Sequence, residues 1–157
     1  MHDGRDETPD ERADRNLTDL LQELRVALPG VQVLFAFLLA VPFQDGFEEV
    51  TTFQRDVYFA TLLFSAAAIA LLIAPTPYHR LNFARGDKQH IVVVSGRLTL
   101  TGLGALAIAM TGAVLLVADW LFGTTVVVLT MVLVVSTFAL AWFALPLRRR
   151  RTTEPRS

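Results

Sequence analysis

The chain has 157 residues, of which 53% are hydrophobic and only 18% are charged. Four stretches contain no charged residue: residues 26–44, 57–78, 98–118 and 120–147. Each is about as long as a helix that crosses ~30 Å of hydrocarbon. This composition excludes an ordinary soluble domain, and the absence of cysteine excludes disulfides, thiolate metal sites and a cysteine nucleophile. The expected fold class is all-α: a four-transmembrane-helix bundle of two hairpins, preceded by an amphipathic interfacial helix.

The N-terminal part is predicted to be a polar tail followed by this amphipathic helix. Residues 1–15 contain almost nothing apolar, which is typical of a disordered cytosolic tail. Asn16 is the predicted N-cap of a helix over residues 16–28. Its apolar face consists of Leu17, Leu20, Leu21, Leu24 and Leu28. Two interpretations stay open: the leucines rest in the membrane interface, which a bend at Pro29-Gly30 favours, or they pack against a cytosolic extension of another helix.

The transmembrane domain is expected over residues 29–147, with a basic cytosolic tail over residues 148–157. Its spans are predicted at about residues 29–44, 54–77, 97–119 and 125–147. Pro75 and Pro77 are expected to close the second span. Asp87 is the predicted cap of a single helix from Lys88 to Leu121, on the order of 50 Å long and therefore longer than the hydrocarbon core.

The distribution of basic residues predicts the orientation. Of the 14 lysines and arginines, all but Arg55 lie in the N-terminal segment, the central polar segment of residues 78–97 or the C-terminal tail. Under the positive-inside rule these three segments are cytoplasmic. The excess of arginine over lysine indicates a GC-rich bacterial genome. We therefore expect a multi-pass protein of the bacterial cytoplasmic (inner) membrane with both termini cytoplasmic.

Small residues at four-residue spacing predict close helix packing, within the chain or between subunits. The two ridges consist of Ala66, Ala70 and Ala74 on the second span and of Thr101, Ala105, Ala109 and Ala113 on the third. At the C-terminus a run of basic residues is suited to contact anionic lipid at the inner face, and it also serves as a determinant of the predicted orientation. It consists of Arg148, Arg149, Arg150 and Arg151.

Three polar residues in or beside the spans are candidates for function. Gln32 suits a hydrogen bond across helices, and a substrate contact is the alternative. Arg97 and Asp119 lie at opposite ends of the third span. Arg97 is interpreted as reaching the inner headgroups and Asp119 as marking the outer boundary, and gating charges or the mouths of an ion pathway are the alternative.

No pattern of catalytic or ligand-binding residues emerges. His79 and His90 are eleven residues apart with Asp87 between them, a spacing that matches no compact metal site. We predict no catalytic, cofactor-binding or metal-binding residue, no enzyme activity and no nucleic-acid partner. The expected partners are the bilayer, its anionic lipids, and further copies of the chain or another membrane protein. The predicted role is structural, oligomeric or accessory; the alternative is a small transporter or channel subunit of the cation/proton antiporter kind.

Three segments carry a resemblance to a family: LLQELRVALPGVQVLFAFLLAVPF (residues 20–43), APTPYHRLNFARGDKQHIV (residues 74–92) and LAIAMTGAVLLVAD (residues 106–119). Over residues 17–122 the chain resembles an uncharacterised family of small four-span proteins, common in actinobacteria and classed as a domain of unknown function. The resemblance implies four spans and no established catalytic residues. Some relatives carry a sodium:proton antiporter label. The lack of a carboxylate deep in any predicted span of this chain counts against that activity.

Overall fold

The computed structural model describes residues 8–82 and 88–140, and in this part of the chain only helices and turns occur. The α-helices are α1 (Pro9–Ala40), α2 (Thr52–Ile73), α3 (Pro75–Asn82), α4 (Lys88–Leu121) and α5 (Thr124–Ala139), with 3-10 helices at Val41–Phe43 and Phe47–Glu49. The predicted all-α fold class is confirmed. Three segments, Asp14–Phe43, Thr52–Tyr78 and His90–Leu121, are long and apolar enough to cross a membrane.

Helix α1 begins at Pro9, so the predicted start at Asn16 is wrong. Thr8 is the N-cap: its hydroxyl oxygen accepts a hydrogen bond from the Glu11 N–H at 3.3 Å, and the Glu11 carboxylate accepts one from the Thr8 N–H at 2.8 Å. This reciprocal pair is a capping box, and Pro9 suits the first helical position because its missing N–H would have no helical acceptor. Residues 1–7 lie outside the described part.

The capping box predicts a pH-dependent helix start. The hydrogen bonds from the Thr8 backbone and hydroxyl lower the pKa of Glu11 from its ordinary value of 4.5. A carboxyl group whose pKa is lowered by folding stabilises the folded protein at pH values above its ordinary pKa. This stabilisation is lost as the pH falls through the lowered pKa. We expect hydrogen-exchange protection at the start of α1 to be full above pH 4.5 and to fall below it. Glu11→Gln should keep the hydrogen-bond geometry and remove the pH dependence; a persisting pH dependence would contradict the assignment.

Helix α1 also runs through Pro29 and Gly30 without ending, so the predicted amphipathic helix and the start of the first span belong to one continuous helix. Leu17, Leu24, Val31 and Leu38 are all buried and recur every seven residues across this site. A bend would turn the two halves of that apolar stripe to different sides. Both residues lie on the exposed side of α1, where the proline ring does not interfere with the buried stripe.

The leucines of α1 pack inside the chain and do not form a separate interfacial face. Leu24 and Val31 share one buried cluster with Ala68 and Leu72 of α2 and Ala105 of α4. Leu20, Leu21 and Leu28 pack against the same cluster. The favoured interpretation, a helix resting on the membrane, is therefore replaced by packing against other helices of the same chain.

Helix α2 ends at Ile73, two residues before Pro75, close to the predicted end of the helix, but the chain becomes helical again at once. A single turn residue, Ala74, separates α2 from α3, and backbone hydrogen bonds continue across the junction. The Ala74 N–H donates to the Ala70 carbonyl and the Tyr78 N–H donates to the Ala74 carbonyl, both at 3.1 Å. Pro75 occupies the first position of α3, where a proline is tolerated.

Helix α4 confirms the predicted single helix from Lys88 to Leu121; its 34 residues correspond to about 50 Å. The predicted cap Asp87 lies outside the described residues. Helix α5 has 16 described residues, none of them buried. The remainder of the predicted fourth span, residues 141–147, also lies outside.

The chain divides into two compact units, one of Met1–Glu49 with Leu62–Leu106 and the other of Val50–Thr61 with Ala107–Ser157. In the first, α4 approaches the end of α2 closely: a methyl group built on Gly102 would lie 2.9 Å from Leu72 side-chain atoms. In the second, a methyl group on Gly112 would meet the Thr61 side chain. In both units glycine permits the close approach of two helices.

Candidate functional site

Asp119 forms the clearest polar contact between distant parts of the sequence. The Gln54 side-chain Nε2 donates to Asp119 Oδ2 at 2.9 Å, in a partly buried position within the second unit. The Gln54 side-chain oxygen accepts from the Thr51 N–H at 3.0 Å, and the Gln54 N–H donates to the Thr51 hydroxyl at 3.2 Å. The Gln54 carboxamide therefore caps the N-terminus of α2 and also forms a hydrogen bond to Asp119.

This arrangement suits a carboxylate at the end of a helix. Asp119 lies in the last turn of α4, where the helix dipole disfavours negative charge, and it contacts the first turn of α2, where the dipole favours it. Sequence reasoning identified Asp119 as a boundary residue and missed Gln54. The available signal was Thr51-x-x-Gln54, the spacing of a capping box.

Arg97 lies exposed on α4 in the first unit, and its backbone carbonyl accepts a hydrogen bond from the Thr101 hydroxyl at 2.9 Å. Gln32 is exposed on α1, and its side chain forms no hydrogen bond within the part of the chain that the structure describes. Gln32 was predicted to bond across helices, and no such bond forms among the described residues. Its carboxamide instead lies on an outward face.

The two small-residue ridges are placed differently. On α4, Ala105 and Ala109 are buried, Ala113 is half-buried and Thr101 is exposed. On α2, Ala70 is exposed and Ala66 is half-buried, as is Ala74 in the turn after α2. Ser65, Ala68 and Leu72 of α2 are buried instead. A row of residues four apart drifts about 40° around a helix at each step, and a row that alternates steps of three and four stays on one side.

Two buried hydroxyls on α4 were not recognised from the sequence. Ser95 and Thr99 are one turn apart, and their oxygen atoms are buried without a hydrogen-bond partner among the described residues. They lie in the first unit, together with Gly102 and Leu72. No sequence pattern separates them from the many serines and threonines that bond to their own helix.

The described residues contain no group of three or more histidine, aspartate or glutamate side chains placed to hold a metal ion. His90 is exposed at the start of α4. The side chain of His79, and the basic run of Arg148, Arg149, Arg150 and Arg151, lie outside the described residues. The proposed lipid contact of that run stays a prediction.

Comparison with known proteins gives one family. The family described as "Family of unknown function (DUF6328)" matches residues 6–146, which is nearly the whole chain. No curated protein and no solved structure matches this chain.

Proposed function

This chain belongs to the DUF6328 family, a family of unknown function, and from that premise we propose that it acts by packing against other membrane helices, as an oligomer or an accessory subunit. It is an integral protein of a bacterial cytoplasmic membrane and carries out no catalysis. Three helices long and apolar enough to cross a bilayer support the location. A protein of this kind recognises its partner through side chains on the outward faces of its helices.

The position of Gln32 carries the proposal. It lies in the Asp14–Phe43 segment, which is apolar enough to cross a membrane, yet its carboxamide is exposed and has no hydrogen-bond partner within the described residues. In hydrocarbon a carboxamide is better placed against a polar group of another helix than against acyl chains. A carboxamide both donates and accepts, so it suits a second copy of itself or any helix with a polar side chain.

A site-specific photo-crosslinker at position 32 tests this prediction in native membranes. We expect cross-linking to protein from position 32 and mainly lipid adducts from position 37. Phe37 is the matched control because it is 70% exposed on the same helix and points about 140° away. Affinity purification of the adduct then identifies the partner, which is a second copy in the oligomeric case. Equal protein adducts at both positions would contradict a partner surface at Gln32.

The proposed orientation places both termini and residues 83–87 in the cytoplasm. Thirteen of the 14 basic residues, all except Arg55, support it under the positive-inside rule. An impermeant thiol reagent should label Gly46→Cys in intact cells and label Asp87→Cys only after permeabilisation. Labelling of Asp87→Cys without permeabilisation would reverse the orientation.

A small transporter or channel subunit is the second candidate. The interruption between α2 and α3 at Ala74 favours it, because interrupted helices build the binding sites of many membrane carriers. Protein purified into liposomes is expected to show no sodium- or potassium-driven proton movement. Movement that is lost in Asp119→Asn would favour the transporter and count against the packing role.

A further inference from the structure

The two buried hydroxyls of α4 are exceptional among the described side chains. Ser95 is 0% exposed and Thr99 is 8% exposed, and neither oxygen has a hydrogen-bond partner among the described residues. A buried hydroxyl without a partner costs free energy, because it gives up its hydrogen bonds to water. The two hydroxyls are one turn apart on the same helix, so a single partner can serve both.

Three other helix hydroxyls among the described residues follow the usual local pattern. Thr61 donates to the Val57 carbonyl at 2.7 Å, Thr101 to the Arg97 carbonyl at 2.9 Å and Thr111 to the Ala107 carbonyl at 2.7 Å. Each bonds to the carbonyl four residues earlier in its own helix. Ser95 and Thr99 do not, although they lie on the same helix as Thr101 and Thr111. Their hydroxyls are therefore available to the interior of the first unit.

The close contact at Gly102 shows what lies opposite. A methyl group on Gly102 would be 2.9 Å from Leu72 Cγ and 3.1 Å from Leu71 Cβ, so the α4 backbone lies directly against these two side chains of α2. Leu72 lies against Gly102, and Ala68 and Ala105 belong to the same buried cluster. Residue numbers thus fall along α2 as they rise along α4, so the two helices are antiparallel in the first unit. Three residues back along α4 from Gly102 is Thr99, and three residues on from Leu72 is Pro75. Thr99 therefore lies at the level of Pro75.

Pro75 leaves one backbone carbonyl near the level of Thr99 without its usual hydrogen-bond donor. A proline has no N–H, so the carbonyl of Leu71 lacks the donor that residue 75 would supply in a regular helix. Helix carbonyls point along the axis towards the next turn, so this carbonyl points from the level of Gly102 towards that of Thr99. Pro75 is fully buried, whereas Pro77 is exposed. The buried proline therefore faces the same interior as the two hydroxyls.

We infer that Ser95, Thr99 and the carbonyl of Leu71 form a binding site for an ordered water molecule between α4 and the α2–α3 junction. Water accepts from a hydroxyl and donates to a carbonyl, so one molecule satisfies both kinds of group. Buried waters typically make about three such bonds. In membranes, a carbonyl freed by proline is commonly satisfied by a neighbouring serine or threonine, or by water.

The chemistry of the site favours water over a cation. Its three oxygen atoms are neutral, and the described residues hold no cluster of acidic side chains that would offset a buried positive charge. The site lies within segments that are apolar enough to cross a membrane. It is independent of which partner the chain binds at Gln32.

Equilibrium unfolding of the full chain in mixed micelles tests the site through a double-mutant cycle. Thr99→Val replaces the hydroxyl by a methyl group of similar size. If water links Thr99 to Leu71, the exchange should raise the unfolding constant by about threefold to tenfold. Pro75→Ala returns an N–H to the Leu71 carbonyl, so in that background Thr99→Val should change the constant less than about twofold. Ser95→Ala should show the same coupling to Pro75→Ala.

Thr111→Val is the matched control, because its hydroxyl bonds to its own helix and its effect should be independent of Pro75→Ala. If Thr99→Val stabilises the chain in both backgrounds, the hydroxyl has no partner and the site does not exist. Thr99→Ser keeps the hydroxyl, so its effect should be the same with and without Pro75→Ala. If Thr99→Val proves too unstable to measure, the cycle of Ser95→Ala with Pro75→Ala replaces it. A sodium-specific rise in stability at constant ionic strength would show a cation site instead and overturn the assignment to water.

Discussion

Leu24→Ala should lower the free energy of unfolding of this protein by about 2–5 kcal/mol. Leu24 is 3% exposed and shares the buried cluster with Val31, Leu72 and Ala105. Shortening it removes three carbon atoms and leaves a cavity among α1, α2 and α4. These closely packed helices cannot move together far enough to fill it. A leucine that rested on the membrane surface would lose only its contact with lipid. Equilibrium unfolding in micelles measures the difference.

Val26→Ala is the control for this prediction. Val26 lies two residues further along α1 and is 81% exposed, so its shortening should change the stability by less than about 0.5 kcal/mol. Equal effects at the two positions would show that residues 16–28 do not pack as a part of the bundle. An unchanged stability in Leu24→Ala with loss of membrane affinity of the N-terminal segment would restore the interfacial helix.

Gly102→Ala should destabilise the chain by about 1–3 kcal/mol, the usual cost of overpacking. The added methyl group would lie 2.9 Å from Leu72 Cγ, and Leu72 is completely buried, so its side chain has nowhere to move. Gly104→Ala is the same exchange two residues away, where a methyl group meets nothing within 4 Å. There the higher helix propensity of alanine should be neutral or stabilising by up to about 1 kcal/mol.

The comparison of these two glycines is made by equilibrium unfolding under one set of conditions. The two substitutions change the helix propensity by the same amount, so the difference between them reports the helix contact alone. A destabilisation of similar size at both positions would show that glycine is needed for α4 itself, and the close approach of α4 to α2 would then have no energetic role.

The long helix α4 could be predicted because its signal is local. Residues 98–118 carry no charge, and no proline occurs between Lys88 and Leu121. The start of α1 also had a local signal, the Thr8-x-x-Glu11 capping box. The charged composition of residues 1–15 concealed it, since composition reports the average tendency of a segment and a cap acts at one position.

The passage of α1 through Pro29 had a signal of longer range. Proline alone predicts a bend, but the seven-residue repeat of Leu17, Leu24, Val31 and Leu38 continues across it, and burial of four apolar side chains outweighs one lost backbone hydrogen bond. The contact between Gln54 and Asp119 is of another kind. These residues are 65 positions apart, and only the register of α2 against α4 brings them together, which no local pattern encodes.

The shared cluster of α1, α2 and α4 also determines the order in which the protein acquires its structure during synthesis. Leu24 precedes Ala105 by 81 residues (105 − 24), which at the usual 5–20 residues per second takes about 4–16 s to translate. Helices form in about a microsecond or less. The apolar stripe of α1 therefore lacks Ala105, its last packing partner in the cluster, for several seconds after Leu24 has been synthesised.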